Sequence, residues 1–337
     1  MTPQGVTLLG MTLLGVTLSF SAADLPIALL MLAIGFHSEA ASIAGILRDP
    51  KNRVAYITTL LSTALLIPAA AFMTVALTPR LPPEGVLGIL IVALVPGGPL
   101  SNIAAVIAGA NVELNILLTS TEMVISAALL PIGLLVMYPR VVDHSQVVDV
   151  PYADQVRGIS LVVVPLLLGI ACSAVVGAAS ATWRCTVAKR PIILTLGLCV
   201  LATVSIAKLR GGDAASVIEQ VIPLLAAARL PPVSTAVAAM TFGGLTVAWS
   251  VALGRLLPEQ PLANRISIGL ECGVRDLTYS LVVAMVGLPS LSLDARAQAV
   301  IAVFMAWATC NGGVLCFALL SCAWHHHVSR GHYVQLR

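Results

Sequence analysis

Charge is scarce in this chain: of 337 residues only 10% are Asp, Glu, Lys or Arg, and aromatic residues make up 4%. Soluble globular chains carry about 25% charged residues, so an ordinary water-facing surface is excluded. No polar stretch is long enough for a separate soluble domain, which excludes an enzyme outside the bilayer. The net charge of +3 is spread over short loops rather than gathered on one face, which removes the case for nucleic acid as a partner. The seven cysteines show no metal-like C-x-x-C spacing and mostly fall inside apolar runs, so they read as small buried hydrophobes without a disulfide framework. No basic segment precedes the apolar run at 5–20 and no clear A-x-A-like cleavage site follows it, so that run reads as a first span rather than a signal peptide. No histidine falls at the centre of a span and no lysine lies in the spans around Ser101, which argues against an intramembrane protease or lipid transferase.

What is present in excess is apolar sequence, at 58% hydrophobic residues with a mean hydropathy of +1.00. A spanning helix takes about 20 such residues. Runs between polar breaks predict ten spans, near 5–20, 25–46, 54–77, 86–108, 112–137, 156–179, 191–208, 232–256, 264–287 and 297–323. With the amino terminus inside, ten Lys and Arg residues fall on the cytoplasmic side against seven outside, which places both termini in the cytoplasm of a multi-pass protein of the plasma or inner membrane. The expectation is an all-α polytopic membrane protein, 1–337 forming one domain, with an inverted repeat of about 5–137 and 156–323 and a tail at 324–337. The stretch 209–231 is too polar at its start and too broken by Pro223, Pro231 and Pro232 to span, and reads as an interfacial helix.

Spans four and nine, which such a repeat would bring face to face, carry the irregularities. "PGGPLSN", residues 96–102, interrupts the fourth. Unpaired backbone is tolerated at membrane depth only where protein packs it or a cavity accepts it. Pro99 suits the first position of a new helical segment, and Gly97 and Gly98 allow a side-chain-free crossing. The half-helix that follows offers free N–H groups to an anion, while carbonyls of the preceding half and the oxygens of Ser101 and Asn102 suit a cation.

"ECGVRDLTYS", residues 271–280, puts Glu271, Arg275 and Asp276 into the ninth span. A carboxylate at that depth costs about 2.5–3.5 kcal/mol on insertion scales and calls for a partner. Arg275, at i+4 on the same helical face with Glu on the N-terminal side, is the candidate. Glu122 in the fifth span is a further acid at depth, sharing a face with Thr119, and is a candidate to pair with Arg275 or, with Asp276, to form a proton relay. His37 and Glu39 read as interfacial, and His325, His326 and His327 as solvated tail.

These motifs resemble those of the bile acid:sodium symporter family. "VPGGPLSN" is similar to its Pro-Gly-Gly-x-x-Ser-Asn, "ANVELNILLTSTE" to its Gly-Asp-x-x-Leu-Ser…Thr stretch, and "ECGVRDLTYS" to its Glu-x-Gly-x-Gln-Asn. "LLMLAIGF" and "LLIPAAAF" match its second and third spans, and the likeness runs from about residue 25 to 322. The resemblance implies ten spans in a panel and a core domain, with crossed, broken fourth and ninth helices. It implies a first sodium site at Ser101, Asn102, Asn115, Thr119 and Glu271, all oxygen donors as a hard cation requires. Asn115 stands where the family has a hydroxyl.

A second sodium site, implied at Thr63, Cys272, Val274 and Arg275, departs from the family pattern. Thr63 and Arg275 replace glutamines, and a guanidinium has only donors. It could instead stand in the site as a built-in cation. Gly98, Pro99 and Asp276 fall where the family meets its substrate. The implied activity is secondary transport of a small organic solute, an organic anion by likeness, driven by one sodium ion or a proton, without an organic cofactor. A transport-inactive sensor that kept the fold, or a metalloid efflux carrier using Cys272, are the alternatives.

Overall fold

The computed structural model describes residues 9–13, 16–20, 28–29, 31–32, 35–36, 40–142, 152–179, 231–286 and 292–335. The expected seventh span, all of the 209–231 segment but Pro231 itself, and His37 and Glu39 lie outside the described residues. Within them the architecture is helical: α1 (Ala40–Arg48), α2 (Pro50–Leu61), α3 (Ile67–Leu77), α4 (Pro83–Leu94), α5 (Pro99–Ala108), α6 (Val112–Val141), α7 (Tyr152–Ala179), α8 (Val233–Leu256), α9 (Leu262–Gly273), α10 (Leu277–Val286) and α11 (Leu293–Gln335). This is the all-α, multi-pass fold expected from composition. The amino-terminal segment departs from it, because β1 (Leu9–Leu13) pairs antiparallel with β2 (Val16–Phe20) where a first helix was expected. That run is shorter than the length a spanning helix requires, and Thr12, Val16 and Thr17 favour extended backbone.

Three helical runs among the described residues, Pro50–Leu77, Val233–Leu256 and Leu293–Cys316, are long and apolar enough to cross a membrane unaided. α6 makes a fourth, bent by 54° between Ser126 and Ala128. Pro131 explains the bend, since it cannot donate to the carbonyl one turn earlier. Pro68 acts similarly in the first run, where a π-helical turn at Ser62–Leu66 joins α2 to α3. α11 continues as helix through the expected tail to Gln335.

α4 is the centre of the bundle, with every residue from Gly85 to Leu94 buried. A helix apolar all round is stable only when enclosed. α11, α8 and α6 enclose it, through a cluster that includes Ile89, Leu90, Leu134, Phe242, Val303 and Ala306. Large apolar side chains such as Leu77, Met240 and Leu256 point outward, as a lipid-facing surface requires. Buried hydroxyls do not disturb this packing, because Thr74, Thr246 and Ser250 donate to carbonyls one turn earlier in their own helices.

Spans four and nine are each split into half-helices, α4 with α5 and α9 with α10. Their outer ends are tied together by amides. Asn264 of α9 accepts from Asn111 Nδ2 at 2.8 Å and donates to Asn52 Oδ1 and Gln260 Oε1 at 3.0 and 2.8 Å. Asn111 also caps α6 and donates its main-chain N–H to Ala263, and Gly109, at φ 65°, ends α5 in the left-handed conformation that favours glycine. Asn264→Leu strands three partners, of which Gln260 is buried and Asn52 and Asn111 are half-buried. It should lower stability by about 2–4 kcal/mol, read as a fall in melting temperature of the detergent-purified protein.

Candidate cation site at the crossing of two broken helices

The first break follows from its prolines. Pro96 and Pro99 have no N–H to give to the carbonyls one turn earlier, so α4 ends at Leu94 and residues 95–98 run extended before α5 begins. The second break has no proline. Val274 is extended, and the main-chain N–H and carbonyl of Arg275 are both taken by the Asn311 side chain of α11, at 2.7 and 3.0 Å, with Trp307 Nε1 donating to the same carbonyl at 2.8 Å. Asp276 N–H then donates to Pro96 carbonyl at 3.1 Å, joining the two breaks by a main-chain hydrogen bond.

The double glycine makes that approach sterically feasible. A methyl group at Gly97 would overlap the Glu271 carboxylate, and one at Gly98 would overlap the Asp276 side chain. Each glycine of the first break therefore receives an acid of the ninth span.

Around this crossing the structure brings together Ser101, Asn102, Asn115, Thr119 and Glu271, none of them more than 1% exposed. Asn115 Nδ2 donates to Asn102 Oδ1 at 2.9 Å and to Ser101 Oγ at 3.3 Å. Ser101 and Thr119 hydroxyls are 3.4 Å apart, and each also donates to a main-chain carbonyl, Gly98 and Asn115 respectively. The Glu271 carboxylate lies beside these hydroxyls. Neither of its oxygens has a hydrogen-bond partner of ordinary geometry, and Asn115 Oδ1 has none either.

The expected Glu271–Arg275 pair does not form. α9 ends at Gly273, so the two residues are not on one helical face, and Arg275 instead turns its Nη1 to Val95 carbonyl at 3.1 Å and its Nη2 to Cys272 carbonyl at 2.9 Å. Glu122 does not bond Arg275 directly either. It accepts from Gly97 N–H at 3.2 Å, and its other oxygen has no partner. Glu122, Arg275, Thr63 and Ser126 line one small cavity of about 20 Å³, enough for a single water. Thr63 sits there on the π-turn. Of the remaining predicted positions, Cys272 and Val274 are buried at the end of α9, and Asp276 is half-buried against Gly98 at the start of α5.

Electrostatically, among the described residues the buried core holds two carboxylates, Glu122 and Glu271, against one guanidinium, Arg275. An uncompensated buried charge costs several kcal/mol, so a cation or a proton must complete the balance. The oxygen donors around Glu271 fit a hard monovalent cation. Asn311 and Trp307, which hold Arg275, were missed in the sequence. Two side-chain N–H donors at i and i+4 in a predominantly apolar tenth span were the available signal.

A family model described as the Sodium Bile acid symporter family matches residues 25–213, more than half the chain. The match takes in the first break and the fifth span and stops before the second break. No curated protein matches the chain.

The contact at Gly97 gives a double-mutant test. Gly97→Ala should cost about 1–3 kcal/mol of stability through overlap with Glu271. Adding Glu271→Ala should return at least ~0.5 kcal/mol of that loss, measured as non-additivity in melting temperature or denaturant midpoint.

Proposed function

The chain belongs to the sodium bile acid symporter family, a family of membrane transporters, and from that premise we propose that it moves a small organic solute by alternating access, driven by one sodium ion held at Ser101, Asn102, Asn115, Thr119 and Glu271. The observation that carries this reading is the Glu271 carboxylate, fully buried among oxygen donors with both its oxygens unpartnered. Sodium there neutralises the buried charge and draws α5, α6 and α9 onto one centre. The solute then binds at Gly98, Pro99 and Asp276, at the amino terminus of α5. Ion and solute bind cooperatively because both require the same ordered crossing. The protein works in the plasma or inner membrane with both termini in the cytoplasm.

A second reading takes a proton as the driving ion. It is favoured by the unpartnered Glu122 oxygen beside the small cavity, with Asp276 as the other member of the relay.

Sodium titration at constant ionic strength, with choline as the replacement, separates the two. An ion that binds only the folded state raises stability by RT ln(1 + [L]/Kd), about 2.7 kcal/mol at one hundred times Kd. The sodium reading predicts a saturable rise in melting temperature that Glu271→Ala abolishes. A melting temperature indifferent to sodium but dependent on pH selects the proton. Uptake into proteoliposomes along an imposed sodium gradient distinguishes a transporter from a sensor that kept the fold.

A further inference from the structure

Two helical corners bring basic residues together at one end of the bundle. The first joins α1 to α2 and holds Arg48, Lys51 and Arg53; the second joins α8 to α9 and holds Arg255 and Arg265. Side chains lock the two corners to each other. Lys51 Nζ meets Glu259 Oε2 at 3.0 Å, Asn264 Nδ2 donates to Asn52 Oδ1 at 3.0 Å, and Arg265 Nε donates to Gly254 carbonyl at 2.6 Å. Arg48, Arg53 and Arg255 therefore flank one joint.

The acids of this end are already engaged. Asp49 caps α2 by accepting from Lys51 main-chain N–H at 3.0 Å, Glu259 is taken by Lys51, and Glu113 lies in the first turn of α6, where the helix end favours a carboxylate. Arg48, Arg53 and Arg255 are exposed, and among the described residues none of their guanidinium groups is ion-paired. A guanidinium in that condition suits a phosphate, which it can bind through two parallel hydrogen bonds.

The neighbours of these arginines select the kind of phosphate. Next to each stands an apolar side chain on the lipid-facing surface: Leu47 is 41% exposed, Val54 57% and Leu256 65%. A free phosphate gains nothing from such neighbours, whereas a phospholipid meets the arginines with its headgroup and the apolar side chains with its acyl chains. The excess of bases over acids at the joint favours an anionic headgroup over a zwitterionic one.

We propose that Arg48, Arg53 and Arg255 form a seat for the headgroup of an anionic phospholipid, whose chains lie against Leu47, Val54 and Leu256. The lipid bridges the two corners. Asn264 anchors the outer end of α9 at the same joint, so an occupied seat stabilises the folded bundle. The seat is independent of the ion and solute assigned above.

Melting temperature of the delipidated, detergent-purified full chain is titrated with phosphatidylglycerol, phosphatidylcholine and inorganic phosphate. Phosphatidylglycerol should give a saturable rise that the other two do not. Changing any one of the three arginines to Gln should move the midpoint of that rise to about fivefold more lipid, and Arg48→Gln/Arg53→Gln/Arg255→Gln should abolish it. Arg140→Gln, in the last turn of α6 and so at the far end of the bundle, should leave the midpoint where it was. If the triple variant does not fold, the three single variants decide by their midpoints. Phosphatidylcholine as effective as phosphatidylglycerol overturns the proposal, as does a triple variant, or a set of single variants, that titrates like the unaltered protein. So does an Arg140→Gln variant that loses as much as the others, which would reduce the effect to net charge. A rise reproduced by inorganic phosphate would replace the lipid seat with a site for a soluble anion.

Discussion

Inside an apolar bundle a helix cannot stop without giving its freed main-chain groups somewhere to go, and here each of two breaks serves as a partner for the other. Pro96 carbonyl takes the N–H of Asp276, and Val95 carbonyl takes a guanidinium proton from Arg275. Neither half-helix pair is therefore stable in this form alone. The remaining features follow from that mutual dependence: glycines where the strands cross, an amide tie at the outer ends, and an asparagine from α11 that occupies the main chain of Arg275.

Charge is the second level of the same arrangement. Glu122 bonds the N–H of Gly97, and Arg275 bonds carbonyls of both breaks, so this carboxylate and this guanidinium stabilise the crossing from its two sides. That leaves Glu271 as the buried charge without a resident complement. Its neighbours are hydroxyls and amides rather than a basic side chain, and the proposed exchange with an ion from outside rests on that setting. A fixed pair gives permanence, and an open carboxylate gives exchange; coupling to a gradient requires the second.

The first break was legible in the sequence because prolines and glycines act through local backbone chemistry. The second was visible only as acids and a base in an apolar run, and the i, i+4 reading of Glu271 and Arg275 failed because no local signal marks where α9 ends. That end is set by Asn311, Trp307 and Pro96, all distant in sequence. The oxygen-donor cluster was legible through its motif, whereas the Asn111–Asn264–Asn52 tie was not, since isolated asparagines near helix ends have no periodicity. The β1–β2 pair shows the converse limit: hydropathy measures how apolar a run is, but not whether a short run folds as helix or strand.

The proposed function requires that the crossing exchange one monovalent cation, at Glu271. Equilibrium binding of radioactive sodium to the purified protein counts the ions directly. One saturable sodium per chain, lost on Glu271→Ala, is expected; no saturable sodium, or binding that survives Glu271→Ala, overturns the cation site.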